Sequence, residues 1–410
     1  MAGRRRRSIG AVVLTVALLA LTPAAATAGT VRTWGDNTYG QLGDGTFTRR
    51  LTAVKVHGLS GVVQLHGGRE HVVALKGDGT VWTWGRNRYG QLGIGNTANR
   101  NTPVRVPGIT HAIQVTTGHY TSFALLENGT VKAWGWNRYG TIGDGTTSER
   151  TTPVTVHGLD DVVEIAAGRD HSLALRSNGT VWAWGDNAYG NLGDGTFTQR
   201  TEPVKVHVLK HVVHIAGGRD HSLALRGDGT VWCWGFNRDG ELGDGTKVDR
   251  NEPVQTGNLT HVIDIAAGAN HSLAIRADHT LWAWGKNNYG QLGVGTSTSS
   301  YTAPVRVTSL AHVAGVGAGR QHTIAILDDG SVWAFGQNDM GQLGDGTLTD
   351  RRSPVRVPGV SGAVASAGGR GYGVVLIGRR ASPNGVPGVP RTGETWQDRA
   401  FSGPRRGVRR

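Results

Sequence analysis

Residues 162–196 read VVEIAAGRDHSLALRSNGTVWAWGDNAYGNLGDGT. Three strand-like pieces lie in this stretch, at 162–167, 172–176 and 180–184, and a fourth follows at 204–206. Asn178-Gly179 joins the second piece to the third, as Asp78-Gly79 and Asp228-Gly229 do elsewhere. Such pairs predict tight hairpins of type I′, whose two central residues both take positive φ. Asp278-His279 departs from the pattern and puts a histidine where positive φ is uncommon.

The whole unit recurs. Trp-Gly-x-Asn begins at Trp34, Trp84, Trp134, Trp184, Trp234 and Trp284, then returns as Phe335-Gly336-Gln337-Asn338, at a spacing of 50 residues five times and 51 once. Asp170-His171-Ser172 taken alone has the composition of a catalytic constellation. However, His71, His171, His221, His271 and His322 share one slot of the repeat, with Thr121 and Tyr372 in the other two. A triad is needed once, so a residue present in five of seven equivalent slots is architectural. Ser172 also follows His171 directly on a strand, which sends the two side chains to opposite faces. No residue is assigned a catalytic role.

Four short antiparallel strands repeated seven times predict an all-β, seven-bladed propeller. Residues 29–34 form a third strand without its first two, whereas the last unit holds its first two, at 362–367 and 372–377. The N-terminal strands are therefore expected to complete the last blade and close the ring, removing open edges. A proline from Pro103 to Pro354 opens the fourth strand in six copies, with Ala53 the exception, and marks an edge strand. Trp82 and Trp84 lie two apart on one strand and face the same side, so such pairs are expected to fill the space between sheets. Arg32 and Lys132 break the first slot, and those two junctions are expected to pack less fully.

The chain has 410 residues, 38% of them hydrophobic, enough for a large core. Its net charge of +13 is concentrated at the ends. Four arginines precede residue 28 and a net six positive charges follow residue 378, which leaves +3 for residues 29–378. That near-neutral body argues against nucleic-acid binding inferred from overall basicity. Arg4 to Arg7, an apolar run at 9–21 and Ala26-Thr27-Ala28 are expected to form a signal peptide over residues 1–28. The run is too short for a membrane span. Residues 379–410, rich in Pro, Gly and Arg, are expected to be a disordered basic tail. The single cysteine, Cys233, excludes an internal disulfide and sits in the slot of Ala183 and Ala283, as a small buried residue would.

Bland readings are favoured for three further features. Residues 190–195 are Gly-rich but lack the lysine and helix of a phosphate loop. Asp194 is replaced by Ile94 and Val294 in other copies, which weighs against calcium. His111, His211, His261 and His312 share a slot before the innermost strand; they are expected to be exposed loop residues on separate blades and not zinc ligands. No metal and no cofactor is expected.

The stretch quoted above resembles the repeat of the regulator of chromosome condensation (RCC1) family, and the resemblance covers all seven units, residues 29–378. It implies a seven-bladed propeller. Members of that family include an exchange factor for the GTPase Ran, scaffolds, and an exported bacterial inhibitor of β-lactamases. The exchange factor works through a β-wedge inserted in one repeat, and this chain has no such insertion. Its only length change is one residue between Gly295 and Pro304.

Positions that the repeat leaves free carry the functional expectation. After Trp-Gly come Asp36, Arg86, Trp136, Asp186, Phe236, Lys286 and Gln337; two positions on lie Arg88, Arg138 and Arg238 among others. These links and the loops holding Arg169-Asp170 and Arg219-Asp220 are expected on one face, because strands alternate direction. Trp136 and Phe236 amid Arg86, Arg88, Arg138 and Arg238 have the composition of an interface hot spot. The competing reading is arginine stacked on aromatics along a solvated rim. The expectation is a secreted, monomeric bacterial member of the family that binds a protein through this face. Its partner would be an extracellular protein or cell-envelope component. Inhibition of an extracellular enzyme such as a β-lactamase, or glycan binding on Trp136, are the alternatives.

Overall fold

The computed structural model describes residues 29–378; the expected signal peptide and basic tail lie outside the described residues. Among the described residues, twenty-eight strands form seven four-stranded antiparallel sheets. Six sheets take their strands in chain order, as in Val162–Ala167, His171–Arg176, Val181–Gly185 and Arg200–Lys205. The seventh places Ala363–Gly368 and Tyr372–Ile377 beside Thr30–Gly35 and Arg50–Lys55. Its joint runs from Thr30↔Ile377 to Gly35↔Tyr372, matching the His171↔Gly185 register inside a continuous blade. The N-terminal strands therefore close the ring.

The hairpins differ from the type I′ expectation. Gly179 N–H donates to Arg176 O at 2.9 Å and Arg176 N–H to Thr180 O at 2.9 Å, so three residues form the loop. Gly179 has φ 75°, and Asn178 is not in the positive-φ region. This is a type I turn followed by a left-handed glycine, the other common use of an Asn-Gly pair. Asn178 Oδ1 also accepts from Thr180 N–H and Oγ1–H, which favours this loop. His279 takes the glycine's place with φ 59° and lies 3.3 Å from Asp328.

The fourth strands are the expected outer edges but start earlier, at Arg200 in the third blade. Pro203 thus lies within the strand, where the pairing slips between Ala183↔Val204 and Gly185↔Arg200. A missing N–H costs little in that irregular edge segment.

The core is divided among the seams between blades. Trp184 is fully buried against Phe123 of the preceding blade, the rings 6.4 Å apart and nearly edge-on. Its Nε1–H donates to Thr141 O at 2.8 Å. Burying one such ring contributes roughly 4–6 kcal/mol at about 25 cal/mol per Å². A Cβ on Gly143 would come 2.7 Å from Trp184 Nε1, so the first glycine of the link's Gly-Asp-Gly is set by close approach, and Gly145 by its φ of 78°.

The first tryptophan of each pair shares the seam with the second, as Trp82, Trp232 and Trp282 pack against the clusters of Trp84, Trp234 and Trp284, but it fills the seam only in part. Trp82, Trp182, Trp232 and Trp282 are only half-buried, and Lys76, Arg176, Arg226 and Arg276 cover their rings. This slot lies toward the rim, paired with the end of the outer strand. Lys132 is accommodated there, donating to Thr155 Oγ1 at 2.7 Å, while Trp134 and Trp34 remain fully buried. Both junctions keep their second tryptophan wholly out of solvent.

Histidine and serine of the opening stretch bond across seams and not to each other. His171 Nε2 meets Ser222 Oγ of the next blade at 2.9 Å, and Ser172 Oγ–H donates to Thr141 O of the preceding blade at 3.0 Å. Equivalent pairs join His71 to Ser122, His221 to Ser272 and His271 to Thr323. The hydroxyl hydrogen goes to a carbonyl, so the hydroxyl oxygen accepts from Nε2–H and fixes that tautomer. Nδ1 then stays a buried, unprotonated acceptor without a partner. A Cβ on Gly168 would come 2.2 Å from His171 Cε1, which explains the glycine of the Gly-Arg-Asp-His stretch.

Candidate functional site

Each inner strand rises to one face and turns through the slot of Arg169-Asp170, and each third strand returns there to start the long link. Backbone bonds tie the two: Asp186 N–H donates to Asp170 O, Arg86 N–H to Glu70 O, Trp136 N–H to Tyr120 O and Phe236 N–H to Asp220 O, at 2.8–3.0 Å. Links and loops thus share one face.

At the axis the seven turns bond to one another. Arg69 N–H donates to His119 O, His119 to Arg169, Arg169 to Arg219, Arg219 to Ala269, Ala269 to Arg320, Arg320 to Gly369, and Arg370 back to Arg69, at 2.9–3.3 Å. This closed ring surrounds the mouth of a cavity of about 490 Å³. Glycine, alanine and threonine line its walls, because seven strands converge where larger side chains would collide. Five arginines crown it: Arg69, Arg169, Arg219, Arg320 and Arg370.

The carboxylates are unevenly placed around this crown. Asp170 and Asp220, expected as exposed loop residues, are buried. Their side chains turn inward to Arg169, at 2.7 and 3.0 Å. Burial pushes the Asp170 carboxyl up to about 6 against the opposing pull of Arg169, and burial raises Asp220 as well. Glu70, also buried, meets Arg69 at 3.5 Å, Arg370 at 3.3 Å and Arg86 at closer range. Arg320 makes no ion pair among the described residues, although the mouth exposes it. His119 sits in this field, 3.0 Å from Arg69. Burial and then Arg69, Arg169, Arg219 and Arg320 hold it down at about 2.

The aromatic candidates separate into two groups. Trp136, half-buried in the cavity wall, has Tyr89, Tyr139 and Tyr120 at centroid distances of 5.8, 5.7 and 6.3 Å. Arg138, two positions on in the same link, and Arg88, whose guanidinium stacks on Tyr89, are both exposed. Arg86 is largely committed elsewhere: besides Glu70 it donates to Tyr120 OH at 3.1 Å and stacks on Tyr39 at 4.5 Å. Phe236 belongs to the other group, against Tyr189 at 5.0 Å with Arg238 over both rings. No ring contact among the described residues joins the two groups. Arginines stack in both groups, Arg238 on Tyr189 and Phe236, and Arg88 on Tyr89 at 5.5 Å, whereas no stacked arginine covers Trp136 among the described residues.

Sequence reasoning missed Tyr89, Tyr120, Tyr139 and His119, and did not connect Arg69, Arg320 and Arg370 with Arg169 and Arg219. The signal was available: Gly68-Arg69, Gly319-Arg320 and Gly369-Arg370 share the slot of Gly168-Arg169.

Neighbouring features are structural. Asp194 bonds Thr196 and Asn187 and pairs with Arg200 at 2.9 Å, so it closes the link. His111, His211, His261 and His312 have φ of 56–58°, on the opposite face and in the slot of Gly61 and Gly362, where the backbone turns left-handed. No cluster of three potential metal ligands occurs among the described residues. Cys233 is buried against Thr256 Oγ1 at 3.1 Å, and burial pushes its thiol up to about 12. No helix of the described residues is long and apolar enough to cross a membrane.

Comparison with known proteins agrees with this architecture. The model for the RCC1-like domain matches residues 112–377, and that for the regulator of chromosome condensation (RCC1) repeat matches 28–75 and 78–125. Protein RCC2 of Mus musculus is 53% identical over 55 residues, 13% of this chain and 11% of that protein. The E3 ubiquitin-protein ligase HERC2 of Homo sapiens is 43% identical over 58 residues, 14% of this chain and 1% of that protein. The matched stretch therefore spans about a tenth or less of these relatives. Among solved structures, Prp20p of Saccharomyces cerevisiae, characterised for binding to Gsp1p and histones, has a TM-score of 0.78 at 24% identity, over 88% of this chain and 94% of that one. Human WBSCR16 has a TM-score of 0.77 at 25% identity, over 86% and 99%.

Proposed function

Because the chain belongs to the RCC1-repeat family of β-propellers, a protein-interaction fold, we propose that it is a secreted, non-enzymatic module that binds a protein through the face carrying the axial mouth. One observation carries this reading: Trp136 stands half-buried among three tyrosines in the wall of a cavity, with the exposed Arg88 and Arg138 on the same links. A rigid aromatic anchor with arginines around it is the composition on which binding energy concentrates. Export rests on the sequence of residues 1–28, and the partner is accordingly an extracellular protein or a cell-envelope component. Guanine-nucleotide exchange is the least favoured reading, since the repeats differ by a single residue in length and carry no inserted wedge.

The test is capture of partners from the producing organism's culture supernatant and cell-wall fraction, using the wild-type chain, Trp136→Ala and Phe236→Ala. A protein retained by the wild type and by Phe236→Ala but lost by Trp136→Ala is the expected result. Loss with Phe236→Ala alone would move the interface to the Tyr189 group. Equal retention by all three would overturn this face, and retention only on wall polysaccharide would favour glycan binding.

A further inference from the structure

The axial crown has more cations than its carboxylates answer, and the imbalance lies on one side. Arg69 and Arg370 reach Glu70, and Arg169 and Arg219 reach the Asp170–Asp220 pair. Between Arg219 and Arg370 the ring passes through Ala269, which has no charge, and Arg320, which has no acidic partner among the described residues. Asn270 and Gln321 take the positions of Asp170 and Glu70 on these two blades. Asn270 Nδ2 is turned away from the mouth, donating to Glu241 at 3.0 Å. Arg320 is close enough to Arg370, Arg219 and Arg69 that burial and their like charges lower its affinity for its proton. Asp186 acts on Arg169, Asp170 and Asp220 on the opposite side, and Glu241, buried behind Asn270 with its carboxyl raised to about 7, is not among the charges that act on Arg320.

Like charges crowded around an exposed guanidinium that has no carboxylate partner among the described residues favour an anion at that point. Guanidinium forks match the paired oxygens of carboxylates and phosphates, and several of them favour a ligand with several charges. We propose that Arg219, Arg320 and Arg370 form an anion site in the axial mouth, for a compact ligand with two or more carboxylate or phosphate charges. The cavity of about 490 Å³ limits the ligand to a small polyanion or to a few acidic side chains. The Trp136 wall lies in the same cavity, but the charge imbalance does not depend on it.

Calorimetric titration of the full chain at about 150 mM salt with citrate, inorganic phosphate and a tetraglutamate peptide tests the site and separates a free anion from acidic side chains. Saturable binding of at least one ligand, weakened tenfold or more by Arg320→Gln, restored in part by Arg320→Lys and unchanged by Arg105→Gln on an outer strand, is expected. Citrate or phosphate alone would identify a free anion, and the peptide alone an acidic segment. Absence of saturable binding with all three, or equal affinity in Arg320→Gln, would overturn the proposal. Arg320 has no side-chain bond among the described residues, so Arg320→Gln is expected to fold, and its unfolding temperature checks this. Loss of partner capture in Trp136→Ala with citrate binding intact would separate this site from the proposed protein interface.

Discussion

His171 Nε2 lies 2.9 Å from Ser222 Oγ across the seam between two blades, and that Oγ–H is donated in turn to Asn191 O at 3.0 Å. Trp234 Nε1–H donates to the same carbonyl at 2.8 Å. One backbone oxygen thus receives a core indole and a hydroxyl that holds the neighbouring blade. Removing the hydroxyl leaves the His171 Nε2–H buried without an acceptor. Ser222→Ala should cost about 1–3 kcal/mol, measured as a shift of the urea midpoint at unchanged slope.

Acid should loosen these seams. Burial holds His71, His171, His221 and His271 at about 3 and His322 at about 4. Each ring refuses, when folded, a proton that the unfolded chain accepts below about pH 6.5. Their contribution is complete above pH 6.5 and is lost as pH falls toward 3, by about 1.4 kcal/mol per unit for each ring. Asp170 and Glu241, raised by burial to about 6 and about 7, act in the opposite direction but are outnumbered. Urea unfolding at pH 7.5, 6 and 5 should show steeply falling stability; a flat profile would contradict neutral seam histidines.

His214 should behave in the opposite sense. Burial disfavours its charge, but Glu164 at 2.5 Å and Asp264 at 3.4 Å outweigh burial and hold it well above 6.5. Its contribution is present below that value and lost as pH rises through the folded value. A ring-proton NMR titration at pH 7 should find His214 charged while His171 is neutral.

The two tryptophans of a pair should differ sharply. Trp184→Ala empties a seam and should cost about 3–5 kcal/mol. Trp182→Ala removes a half-buried ring at the rim and should cost much less. Thermal unfolding of both variants gives the comparison, and equal losses would refute the division between seam and rim.

Glu70→Gln should destabilise by about 3–5 kcal/mol, because a buried acceptor shared by Arg69, Arg86 and Arg370 loses its charge. Arg320→Gln, at the same mouth, removes no pair and should not lower the unfolding temperature. The contrast separates answered from unanswered cations.

Repetition made the fold legible. The period of 50 residues set the number of blades, and complementary half-units at the two ends identified the closing sheet. Local geometry was less legible: Asn178-Gly179 suits two turn types, and only the Arg176–Thr180 pairing chooses between them. Burial of Asp170 and Asp220 could not be read from their place in a loop, because it depends on Arg169 turning inward at a ring of neighbouring turns. The two aromatic groups separate for a similar reason: Trp136 and Phe236 occupy one slot of the repeat but face different neighbours around the circle.

The closing blade also fixes where the chain enters and leaves. Gly29 bridges to Val62, Thr30 pairs with Ile377, and Gly378 N–H donates to Gly362 O at 3.1 Å, all on the side away from the arginine crown. The two ends of the propeller are therefore adjacent, on the face away from the arginine crown. A rearranged chain spliced from Gly378 to Gly29 and cut between two other blades would keep every strand partner it has now. The circle has no inherent beginning, so a fusion or tether can be placed at the reverse without obstructing the mouth.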